Sequence, residues 1–170
     1  DMIIETKKLI YLGFGIDDQK YSDYASTNIQ GRVVLISGGE PIDKKGNSVI
    51  TGTKDKSSWT VDWQKKIELV TQKGAKGLLV IDDNFTSSVS QFGRYIKRPN
   101  LELGDRPSDK IGIPLIYISS KMANRILKAA GIKGTHDKLE KSMGKNGKPI
   151  SHELNVPLTI DVKKNREELT

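Results

Sequence analysis

The clearest alternation of apolar and polar positions runs from Trp59 to Asp82, WTVDWQKKIELVTQKGAKGLLVID. Trp63, Ile67 and Val70 fall at i, i+4 and i+7 and share one face of a helix. Gln64, Lys65, Lys66, Glu68 and Lys73 fall largely off that face and are expected to stay in water. Thr60 or Asp62 can cap the start, and Gly74 can take the left-handed conformation that ends a helix. Leu78 to Ile81 are apolar at every position, so the strand expected there is covered on both faces. This helix–strand unit should lie at the centre of the domain, and its plainest role is scaffold.

The other elements are placed around it. Residues 9 to 16, LIYLGFGI, read as a strand. Gly13 and Gly15 invite comparison with a dinucleotide fingerprint, but its third glycine position holds Asp18 and no helix start follows. Glycine in a strand marks a bulge or a close backbone approach instead. Asp17, Asp18 and Asp23 read as a solvated turn. RVVLIS, from Arg32 to Ser37, is a second buried strand. Gly38-Gly39 after it could cradle a phosphate only if a helix began there, and Pro41 onwards does not look helical. Residues 39 to 58 read as a long loop, with room for a short strand around Val49 to Thr51. A second polar stretch, Asp83 to Lys110, reads as a surface loop, and loops of this kind often carry contacts.

Ile111 to Ser119 is the third clear strand. Ser119 or Ser120 caps a helix that ends at Gly131, with Met122, Ile126, Ala129 and Ala130 on one face. A short helix fits Thr135 to Met143, with Leu139 and Met143 inward, broken by Gly144, Asn146-Gly147 and Pro149. Glu153 to Val162 reads as a last strand, which Pro157 confines to an edge or a bulge. The mixture predicts an α+β fold: a partly closed sheet with two to three flanking helices.

At 170 residues the chain fits one domain, residues 1–170, with a core over about 9–134. Hydrophobic residues at 35 % and charged residues at 29 % exclude a disordered composition. No apolar run approaches the roughly 18 residues of a membrane helix, so no membrane insertion is expected. The net charge is +7, but the lysines are spread out with acids among them, and no nucleic acid is expected. There is no cysteine, which excludes disulfides, thiol nucleophiles and thiolate metal sites. His136 and His152 have no metal-ligand neighbour at a useful spacing. No Gly-x-Ser-x-Gly elbow occurs, and Asp82 and Asp83 would point to opposite faces of a strand. Neither a catalytic residue nor a metal ligand is therefore predicted. The abrupt start at Asp1 and end at Thr170 read as a fragment of a longer chain.

Four motifs in order carry a resemblance: Gly13-Phe14-Gly15-Ile16, Gly31 to Leu35, Gly74 to Gly77 (GAKG), and Ile113 to Ser119 (IPLIYIS). Together they resemble the protease-associated domain, in the form inserted in secreted co-catalytic zinc aminopeptidases, the relatives of glutamate carboxypeptidase. The likeness covers roughly residues 9 to 163, and residues 135–170 resemble the segment leading back to the peptidase body. It implies a β-rich swivelling (β/β/α) domain without catalytic residues. It also implies zinc in a separate peptidase domain, no cofactor in this chain, and a secreted, periplasmic or cell-surface location. The partners implied are that peptidase domain and a peptide or protein substrate. Phe92, Arg94 and Tyr95 are the expected contact anchors, since aromatic and arginine side chains dominate interface energy.

Two other readings stay open. One is a small α/β enzyme or nucleotide binder, which Ile113 to Ser119 running parallel beside Leu78 to Ile81 in a fully parallel open sheet would favour. The other is a basic nucleic-acid module, marked by steep salt dependence of binding.

Overall fold

The computed structural model describes residues 2–96 and 112–162, with residues 2, 92–96 and 162 described for the backbone only. In chain order the elements are β1 (Met2–Thr6), β2 (Leu9–Leu12), β3 (Val33–Ser37), α1 (Ser58–Val61), α2 (Gln64–Gln72), β4 (Gly77–Asp82), α3 (Phe85–Ile96), β5 (Leu115–Ser119), α4 (Ser120–Ala129), α5 (His136–Asn146), β6 (Ser151–Leu154) and β7 (Leu158–Val162).

Strand alternation divides the core in two. Leu9, Tyr11, Val33, Leu35, Leu79 and Ile81 face one side, where Ala123, Ile126 and Leu127 of α4 and Met143 of α5 cover them. Ile10, Leu12, Val34, Ile36, Leu78 and Val80 face the other, where Val70 of α2 and Ala75 cover them. Each such fully covered aliphatic side chain contributes about 2 kcal/mol. With both faces covered, the strands need no polar alternation, and β3 is buried at every position.

Among the described residues the main sheet is open and five-stranded, in the order β5-β4-β3-β2-β6. β2, β3, β4 and β5 are parallel, and β6 runs antiparallel beside β2. A separate ribbon pairs β1 with β7. The molecule is thus a mixed α+β fold, as expected, but the sheet does not close, and the described residues hold five helices where two to three were expected, because the first is split into α1 and α2 and residues 85–96 are helical as well. Helices cover both faces of the parallel run, α2 on one and α4 with α5 on the other.

Several local expectations need correction. Residues 83–110 are not all loop, because α3 occupies Phe85–Ile96. Phe85, Val89, Phe92 and Ile96 recur at i, i+4, i+7 and i+11, a helical period diluted by the polar residues between them. The strand read over 9–16 stops at Leu12, where Gly13 turns with φ +49°. No strand forms at 49–51, which is a turn. The last strand is split into β6 and β7, with Pro157 in the break. α4 turns Ala123, Ile126 and Leu127 inward, while Met122 is 44 % exposed. Gly74 does end α2, with φ +77°. Neither Thr60 nor Asp62 caps α2: Trp63 is its N-cap and no side chain caps it.

The loop from Gly38 to Ser57 lacks regular elements but is pinned from within. Buried Glu40 accepts from the Ser48 hydroxyl at 2.6 Å and the Ser57 amide at 2.8 Å. Burial raises the Glu40 pKa, yet the hydrogen bonds prevail and hold it below the usual carboxylate range.

Candidate functional site

Parallel strands bring their carboxyl ends to one edge, and here that edge gathers polar groups from four elements. β3 ends in Ser37, followed by Gly38 and Gly39. Gly38 lies so close to β4 that an added Cβ would sit 3.3 Å from the Ile81 carbonyl oxygen. β4 ends at Asp82 and delivers Asp83. β5 ends in Ser119, whose hydroxyl accepts from the Met122 amide at 3.2 Å and caps α4. The next residue, Ser120, donates its hydroxyl to Asp83 Oδ1 at 2.7 Å.

α5 closes the group from above. The His136 amide donates to Asn124 Oδ1 at 2.8 Å, which fastens the start of α5 to α4. His136 Nε2 donates to Asp83 Oδ1 at 2.8 Å. Glu140 stands one turn later at i+4, on the same face of the helix as His136. Asp83, His136 and Glu140 each offer one donor atom within 4.8 Å of the others. The His136 side chain is 4 % exposed while that of Asp83 is 60 % exposed. Nδ1 of His136 is buried without a hydrogen-bond partner. Burial raises the Glu140 pKa. The Ser37 hydroxyl and His136 act against that rise, and the Asp83 and Asp137 charges add to it.

Beneath this edge lies a layer of buried charge. Lys66 is fully buried and donates through Nζ to the Gly39 carbonyl. Burial pushes its pKa down to about 8, against the pull of Asp23, Glu40 and Glu140. Asp23 is 2 % exposed. Its Oδ2 accepts from the Phe14 and Ile16 amides at 3.1 and 3.0 Å, and its Oδ1 from the Tyr21 hydroxyl at 2.9 Å. Burial nevertheless pushes its pKa up to about 6. The tight turn depends on glycine, because a Cβ at Gly13 would run into the Asp23 carboxylate. Both burials correct the sequence reading, which left Lys66 and Asp23 in water. Periodicity placed Lys66 off the apolar face but could not show that the face beside it looks onto the loop at Gly39. A cleft of about 290 Å³ opens beside the layer, lined by Phe14, Gly39, Glu40, Lys56, Thr60 and Glu140 among others. Glu140 is therefore shared between the cleft and the cluster with His136.

Of the contact anchors expected from sequence, Phe92, Arg94 and Tyr95 have their backbones in the second half of α3, and their side chains lie outside the described residues. His152 sits on β6, opposite Tyr11. The sequence reading found no metal-ligand neighbour for either histidine, whereas the fold gives His136 two carboxylate neighbours. The spacing His136-x-x-x-Glu140 was available once a helix was placed there. Asp83, 53 residues from His136, had no local signal.

The chain matches no protein-family model, and no curated protein matches it either.

Proposed function

We propose that the chain is a non-catalytic accessory module of the protease-associated kind, carried by a zinc aminopeptidase, where it shapes access to the peptidase cleft or contacts peptide. The observation that carries this reading is the ribbon of β1 and β7. Met2 to Thr6 pair with Val162 to Leu158, so the first and last described strands lie side by side. That is the arrangement a domain needs when it hangs from a loop of another domain. Ile4, 8 % exposed and part of the core, fastens the ribbon to the body. In this reading the zinc and the hydrolytic groups belong to the peptidase domain. α3 is the element proposed to meet substrate or that domain, in a secreted, periplasmic or cell-surface setting. The deciding experiment is turnover of aminoacyl amides. The isolated chain should give none and a longer chain from the same reading frame should give zinc-dependent hydrolysis.

One observation favours a second reading, a small-molecule binder or enzyme of the open-sheet type. β5 runs parallel beside β4, and polar groups converge where the parallel strands end, the usual place for a ligand in such sheets. The antiparallel β6 keeps the sheet from being fully parallel. If this reading holds, a nucleotide panel should raise the melting temperature in a concentration-dependent way. A flat response across the panel removes nucleotides from consideration.

A further inference from the structure

We propose that Asp83, His136 and Glu140 form a binding site for a divalent transition-metal ion of the zinc type. The inference goes beyond the accessory reading and does not depend on it, but it replaces the expectation that this chain holds no metal.

The donor set is one imidazole and two carboxylates, all within 4.8 Å of one another. Imidazole favours zinc, cobalt or nickel over calcium and magnesium, which prefer oxygen alone. Two ligands of one zinc ion at about 2.1 Å can stand no more than about 4.2 Å apart. The triangle must tighten slightly. Asp83, 60 % exposed, and partly exposed Glu140 have room to turn inward, while buried His136 stays fixed. The scaffold holds the ligands from three directions. Asp83 follows β4 and is gripped by Ser120, His136 is tied through its amide to Asn124, and Glu140 shares its helix.

The competing explanation is a plain hydrogen-bonded tie between α5 and the end of β4. That tie leaves two carboxylates beside one imidazole, where a simple tie needs only one. An ion on Nε2 takes the place of the proton now given to Asp83, which moves to Nδ1 or to solvent. A cation answers both carboxylates at once.

The test is a titration of the chelator-stripped chain with Co²⁺, followed by visible absorption, and with Zn²⁺, followed by calorimetry. One equivalent should bind, and Asp83→Asn and Glu140→Gln should each weaken binding at least about tenfold. Asp83→Asn keeps an oxygen to accept from His136, so a mere tie would survive it with the melting temperature unchanged. His136→Gln should abolish the cobalt spectrum. If that variant fails to fold, Asp83→Asn carries the test alone, because its side chain is mostly in water. His152→Gln should bind as the parent does. Absence of stoichiometric binding up to about 1 mM, which is a free energy of only about 4 kcal/mol, would overturn the proposal. So would binding unaffected by Asp83→Asn and Glu140→Gln, or binding lost in His152→Gln.

Discussion

Lys66 and Asp23 set the energetics of the sheet edge. Each is buried, and each is held away from its ordinary titration range by that burial. Asp23 has a folded pKa of about 6, above the 3.8 of the unfolded chain. Its contribution to stability is therefore fully present below about pH 4 and is lost as pH rises through 6, on the order of 3 kcal/mol in all. Asp23→Asn keeps an acceptor for the Phe14 and Ile16 amides and removes the titration. Denaturant melts should show the parent losing stability relative to this variant between pH 4 and pH 6. A difference that stays flat across that range would mean that Asp23 is solvated. Lys66 behaves in the opposite window: its folded pKa lies below the unfolded value, so the strain of its buried charge is relieved as pH rises from 8 towards 10.5. Neither burial could be read from residue type, since lysine and aspartate are ordinarily exposed. Only the placement of Gly39 and of the Phe14 and Ile16 amides around them makes these positions tolerable.

At the scale of elements, periodicity did most of what it can do. The buried strands at 33–37 and 77–82 and the helices at 64–72 and 120–129 follow from runs and repeats, whereas the helix read over 135–143 runs on through Gly144 to Asn146. The misses have physical causes. β1 has its partner at the far end of the chain, in β7, so nothing local marks it as a strand. α3 hides its apolar repeat among serines and threonines, which favour turns and caps as often as helix interiors. Strand direction has no local signature, so the parallel run emerged only in three dimensions. The approach of α5 to the loop after β3 is another long-range feature. Gly144 is buried in α5, and an added Cβ would run into the Ile42 carbonyl. Gly144→Ala improves helix propensity by about 1 kcal/mol, yet here it should destabilise the fold by about 1–3 kcal/mol. A melting temperature above that of the parent would show that α5 does not press on that loop. The same substitution would also displace Glu140, one turn earlier, and so should weaken any ion held there.

For the whole molecule, the mixture of strands and helices expected from sequence and the observed architecture agree on a mixed α+β body. They differ on closure of the sheet, which is open. The candidate site was legible in part: His136 and Glu140 share a helix face by their spacing, whereas Asp83 joins them only through the order of β4, α4 and α5. In the proposed reading, the ribbon of β1 and β7 is what favours an inserted, non-hydrolytic role. A cation at the Asp83–His136–Glu140 cluster would brace α5 against the sheet edge without changing that role. The most direct measurement is the rate of aminoacyl-amide hydrolysis, with zinc supplied, by the isolated chain and by a longer chain translated from the same reading frame. The account predicts turnover by the longer chain alone. Hydrolysis by the isolated chain, lost on mutation of its own residues, would contradict it, as would a longer chain with no peptidase activity.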